Sequence, residues 1–110
     1  MSDHSSNNEI VCYITAPSED EAVNIARALV EGRLAACANI VKNVRSIYSW
    51  KGAIEDDAEV LMIVKTQKAL FHKLSEKVKE MHSYDVPEVI ALPIVDGSED
   101  YLQWLRDSTE

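Results

Sequence analysis

The sequence predicts an α+β domain, a four-stranded sheet with two helices on one face and a short helix at its end. Three observations carry this. Short apolar runs near each end, and a long stretch of partly alternating residues in the middle, read as strands. Two segments between them repeat apolar residues at helical spacing and carry helix start or stop signals. The 110 residues suit one domain, and a 46% hydrophobic fraction supplies its core.

The elements follow in order. Residues 1–8 read as a disordered tail, which leaves 9–110 as the single domain. Ile10 to Thr15 is a strand apolar on both faces, hence central in its sheet. Pro17 ends it. Ser18 and Glu21 form a capping box, and the acidic first turn suits the helix dipole. A helix over 18–31 buries Ala22, Ala26, Leu29 and Val30 and stops at Gly32.

Arg33 to Thr66 reads as two long strands joined tightly at Trp50-Lys51-Gly52-Ala53. Each arm runs to about twice the usual ~5–6 residues. Ala58, Val60, Met62 and Val64 share one face of the second arm, while Glu59, Leu61, Ile63 and Lys65 share the other. Asn39, Lys42 and Asn43 break the alternation of the first arm, so a bulge is expected there. A second helix over 68–82 buries Phe71, Leu74, Val78 and Met81. A strand over 86–95 is bounded by Pro87 and interrupted by Pro93, which places it at a sheet edge. A last short helix carries Tyr101, Leu102, Trp104 and Leu105.

Strand, helix, strand, strand, helix, strand is the order of the ferredoxin-like fold, β-α-β-β-α-β. Both helices then cover one sheet face and leave an apolar face bare. Bare apolar faces and long open ribbon edges are association surfaces. The chain is expected to be an oligomer.

Charge narrows the function. Nineteen acidic against eleven basic residues give a net −8. That balance opposes binding to nucleic acid and to anionic membranes. No apolar run approaches the ~20 residues of a membrane helix. The first residues have neither a basic stretch nor an apolar core of the signal-peptide kind. A cytoplasmic location with reduced Cys12 and Cys37 is the expectation. No nucleophile–base spacing and no phosphate loop stands out, so an enzyme is not expected.

Several blocks of the chain resemble the CutA family of divalent-cation tolerance proteins. They are TAP at 15–17, RLAACANI at 33–40, SIYSWKGAIEDDAEV at 46–60, KT at 65–66, HSYDVPEVIALP at 82–93 and YLQWL at 101–105. The resemblance covers nearly all of the chain beyond the tail. It implies a ferredoxin-like subunit, a cytoplasmic homotrimer whose hairpins pair between neighbours, and binding of copper or another divalent metal. The family's ligand set is a cysteine, a histidine and a glutamate. The histidine falls on His82 and the glutamate on Glu88. The cysteine position falls on Ile14, so this chain departs from the pattern. Cys12 lies two residues earlier, on the same strand face but ~6–7 Å along it, and is a candidate substitute.

Other readings stay beside these. His82 also suits a helix end, and Glu88 an exposed strand position. Cys37 reads either as a soft-metal ligand or as a packed small residue. Tyr48 and Trp50 read as trimer-interface anchors, or as the walls of a cleft across a trimer interface with Glu59 and Lys65. The leading function is a non-enzymatic, metal-binding homotrimer. The alternatives are a signalling trimer, like the PII regulators, with a small molecule in clefts between subunits, and a scaffold that docks another protein.

Overall fold

In the computed structural model, which describes residues 8–110, the first strand lies inside the sheet, as its two apolar faces require. This strand, β1 (Glu9–Ala16), pairs antiparallel with β3 (Ala53–Gln67) on one side and β4 (Val89–Pro93) on the other. Strand β2 (Cys37–Trp50) pairs with β3, so the order is β2-β3-β1-β4. This is the ferredoxin-like topology. The expected tail lies outside the described residues except for Asn8.

Helix α1 (Glu19–Glu31) starts at Ser18, whose Oγ accepts from the Glu21 N–H at 3.2 Å. Its buried stripe is Ala22, Ile25, Ala26 and Leu29. Val30, expected in that stripe, is 40% exposed, and Ile25 takes its place. Positions 22, 25, 26 and 29 follow the i, i+3, i+4, i+7 spacing of one helix face, and 30 falls beside it. Helix α2 (Phe71–Met81) is preceded by a tighter turn at Lys68–Leu70. Met81 is exposed, because the helix ends there and the chain turns His82 inward.

The two helices cover the sheet face that carries Cys12, Ile14, Met62 and Val64, all fully buried against Ile25, Leu29, Leu74 and Val78. The opposite face carries Val11, Tyr13, Leu61, Ile63 and Val41, with Ile90 and Leu92 on β4. Helix α3 (Glu99–Asp107) covers only its far end. It is latched there by Arg106 to Glu9 at 2.9 Å and by Gln67 to Thr109 at 2.7 Å. Beyond it, Val41, Ile90 and Leu92 remain 42–51% exposed. The bare face is thus smaller than the sequence suggests, but it is there.

The β2–β3 ribbon spans about 50 Å at ~3.4 Å per residue, which matches the 49 Å long axis of the molecule. The radius of gyration is 14.9 Å, against about 13 Å for a compact chain of this size. Lys51 (φ 50°) and Gly52 (φ 83°) form the turn. Two successive left-handed residues match the twist of a two-residue hairpin. The register slips between Val41 and Val44, where Asn43 adopts φ 66°, so the expected bulge is present. Strand β4 is shorter than expected. Residues 86–88 form a loop, and Pro93 ends the pairing.

Met62 lies in the middle of the helix-covered face at 0% exposure. Met62→Ala is expected to cost about 2–5 kcal/mol in urea unfolding at fixed protein concentration. A loss below ~1 kcal/mol would show that this layer is not the core.

Candidate functional site

The bulge decides which ribbon residues face the bare side. Val41 pairs with Leu61, and Val44 pairs with Glu59, so β2 carries one extra residue. A strictly alternating β2 would continue from Val41 through Asn43, Arg45 and Ile47. The extra residue instead puts Val44, Ser46, Tyr48 and Trp50 on that face. Tyr48 and Trp50 thereby join Glu59, Ser46 and Thr15 around a cleft of ≈360 Å³. The Tyr84–Glu88 loop closes its other side with Tyr84, Asp85, Val86 and Glu88.

Carboxylates and phenols are paired in and beside this cleft. Tyr84 donates its hydroxyl to Glu59 Oε2 at 2.6 Å, and Tyr48 donates to Asp57 Oδ2 at 2.6 Å. Burial first, then the Glu59 bond, raises the Tyr84 phenol well above its ordinary range. The Asp57 bond leads the causes that lift Tyr48 to about 12. Both phenols stay protonated at any physiological pH. Glu59 is only 7% exposed, and its Oε1 has no hydrogen-bond partner among the described residues. Asp85 and Glu88 carry no hydrogen bond among those residues. Among the described residues, no Lys, Arg or His lines the cleft.

His82 holds the loop in place. Its Nε2 lies 2.7 Å from the Thr15 carbonyl oxygen, and the Tyr84 N–H donates to its Nδ1 at 3.1 Å. This pattern places a proton on Nε2 as the donor to Thr15, and Glu21 Oε2 lies 3.4 Å from Nδ1. Glu21 Oε2 accepts from the Ser83 N–H at 2.9 Å and from Ser83 Oγ at 3.0 Å. The imidazole side chain is fully buried.

The residues expected to form a metal site are therefore dispersed. Glu88 lines the cleft and His82 does not. Neither ring nitrogen of His82 has a free lone pair for a metal. Ile14 and Cys12 point to the opposite, helix-covered face at 0% exposure. Burial pushes the Cys12 thiol up to about 11, so it is no thiolate at neutral pH. Among the described residues, no three His, Cys, Asp or Glu side chains are grouped to hold a metal ion. One chain alone does not assemble the expected ligand set.

Cys37 is half-buried, with its Sγ 3.9 Å from the Lys65 ammonium. Lys65 is also bonded to Asn39. Glu59, Tyr48 and Trp50 line a cleft within one chain, which Lys65 does not reach. Tyr84, Asp85, Ser46 and Thr15 were not legible as cleft residues, because the loop conformation that gathers them depends on the distant His82–Thr15 contact.

This fold, with a long bulged ribbon and a loop-walled cleft on a bare sheet face, defines a ferredoxin-like domain with an extended hairpin. The chain belongs to the CutA1 divalent ion tolerance protein family, whose profile it matches over residues 10–108. It is 54% identical over 101 residues to the divalent-cation tolerance protein CutA of Thermus thermophilus, covering 92% of this chain and 98% of that protein. The solved structure of a divalent cation tolerance protein (CutA1) from Thermus thermophilus, 54% identical, superposes with a TM-score of 0.91 over 93% of this chain and 99% of that one. The solved CutA1 of Oryza sativa is 47% identical with a TM-score of 0.90, over 93% and 94% of the two chains. Human protein CutA is 53% identical over 98 residues, 89% of this chain and 55% of that longer protein.

Two measurements check this geometry. In an absorbance titration, Tyr48→Phe is expected to remove a phenol that ionises near pH 12 instead of 10. Because the folded value lies above the unfolded one, the stabilisation from this bond is full below pH 10 and is lost as pH rises towards 12. An unchanged titration above pH 11 in Tyr48→Phe would contradict the Asp57 bond. Deleting Asn43 removes the bulge, so it is expected to turn Tyr48 and Trp50 to the other face and shift Trp50 fluorescence. An unchanged emission spectrum in a Trp104→Phe background would contradict the role given to the bulge.

Proposed function

We propose that the protein is a non-enzymatic homotrimer that binds divalent cations, copper among them, as part of divalent-cation tolerance. The observation that carries this is the ribbon with the apolar sheet face behind it, which one chain cannot cover. Exposed Tyr48 and Trp50 on the ribbon continue the exposed Val41, Ile90 and Leu92 of the sheet, and Ile47 and Ile54 are exposed on the ribbon's other face. Contiguous apolar surface of this kind marks protein association. A neighbour's ribbon would lie on it, with Tyr48 and Trp50 at the edge of the contact. The number three is what the resemblance to the CutA family implies, and the link to cations follows the name its relatives carry.

Glu88 is the proposed cation ligand, a carboxylate at the cleft rim with no hydrogen bond of its own among the described residues. His82 acts through it as a positioning residue that fixes the loop. A single carboxylate is too little for a cation site. In the trimer the remaining donors would come from water and from a neighbour. A reducing compartment such as the cytoplasm suits the unpaired Cys12 and Cys37.

A second reading is favoured by the cleft itself. Its aromatic walls and ≈360 Å³ volume suit a small molecule better than a bare ion. On this reading the trimer responds to a ligand, with the cation acting beside it.

Sedimentation equilibrium is expected to give three times the 12.3 kDa chain mass. Ile90→Glu lies on a surface half-exposed in the single chain. It is expected to lower the mass to one chain while leaving secondary structure intact. A wild-type monomer, or a trimer indifferent to Ile90→Glu, would contradict the interface. In copper titration calorimetry, Glu88→Gln is expected to weaken binding at least tenfold, and His82→Ala to weaken it less. Equal binding by wild type and Glu88→Gln would remove Glu88 from the site.

A further inference from the structure

The floor of the cleft is a carboxylate that the protein does not fully satisfy. Glu59 is more than nine-tenths buried, and Tyr84 occupies only one of its oxygens. The other oxygen is not among the buried polar atoms left without a partner, so it opens to the cleft. A carboxylate oxygen left without a partner at the floor of a cleft favours a cationic hydrogen-bond donor.

The remaining lining narrows the class of that cation. Asp85 and Glu88 repel anions, and among the described residues no Lys, Arg or His belongs to the lining itself. A neutral ligand would leave the charge of Glu59 uncompensated. At the cleft floor a bare metal ion would meet aromatic rings where it needs ligand atoms, and among the described residues no three acidic, His or Cys side chains converge, so the cation proposed at Glu88 belongs to the rim. Aromatic faces do attract organic cations. Trp50 already holds the Lys51 ammonium 5.6 Å from its ring centroid. Both phenols remain protonated, so they act as donors to the carboxylates and add no charge of their own.

We propose that this cleft binds a small organic cation of the alkylguanidinium class. The planar guanidinium donates in a fork to Glu59 Oε1 and a rim carboxylate, and its face stacks on Trp50 or Tyr48. The short apolar stem lies against Val86. A compact ammonium would reach the carboxylate but would not stack in the same plane. The inference supplies ligand chemistry to the small-molecule reading of the cleft and rests on it. It does not use the metal.

Calorimetric titration of the full-length protein with n-butylguanidinium, in excess EDTA, tests this. The neutral isostere n-butylurea is the control. The expected result is saturable binding of one guanidinium per chain, at least tenfold tighter than the urea. Glu59→Gln, which keeps an acceptor for Tyr84, is expected to lose at least tenfold for the guanidinium alone. Asp85→Asn, on the loop wall and away from the ribbon, is expected to weaken it as well and serves if Glu59→Gln disturbs assembly. Equal binding of the two probes, or guanidinium binding unchanged in both variants, overturns the proposal. A thermal-shift panel of anionic, neutral and cationic metabolites separates the two levels. Stabilisation only by anions or neutral compounds overturns the guanidinium class and keeps the cleft reading. Stabilisation by none of them overturns both.

Discussion

The sheet has more apolar surface than its helices can cover, and much of the structure follows from that shortage. Helices α1 and α2 seal one face around Ile14, Met62, Leu29 and Leu74. Helix α3 reaches only the end of the other, where Arg106 meets the buried Glu9. What lies between, from Val41 across to Leu92, must meet another surface or water. Large apolar patches seldom stay exposed on monomers. The ribbon extends the same problem past the body of the domain. Its length gives an isolated chain nothing but a long open edge. The proposed association would turn both liabilities into an interface.

The cleft arises from the same geometry. It sits on the uncovered face because the extra residue at Asn43 rotates the outer half of β2. One bulge therefore aims Tyr48 and Trp50 towards Glu59 instead of towards the helix side. The second wall is a loop whose shape depends on a buried histidine. His82 commits its Nε2 proton to the Thr15 carbonyl and its Nδ1 lone pair to the Tyr84 N–H. A residue whose motif suggests a metal ligand thus acts as a strut. Its influence on any ligand of the cleft is exerted through Tyr84 and Glu88.

Much of the fold was legible because period and punctuation speak locally. Ser18 and Glu21 announced α1, Lys51-Gly52 the hairpin turn, Pro93 the end of an edge strand, and the broken alternation around Asn43 the bulge. The misreadings were also local. Val30 and Met81 extended helical stripes by one residue too many, and β4 was drawn through residues that form a loop. The site was less legible. Thr15, Ser46, Glu59 and Tyr84 come from four separate segments. The contact that gathers them joins residues 67 positions apart. Glu88 was identified through the family motif, but its separation from His82 depends on which way the imidazole faces. Spacing does not encode that. Cys12 shows the same limit, since strand parity placed it on a definite face but could not say that helices cover it.

Amide-resolved hydrogen exchange along β2 tests the central claim most directly. In a single chain, every second amide of Cys37–Trp50 points away from β3 and lies open to solvent. If copies of the chain cover this edge and face, those outward amides exchange as slowly as the amides of β1, and they remain slow on dilution until the assembly dissociates. Exchange at open-edge rates along the ribbon, at concentrations where the protein is folded, would contradict the account.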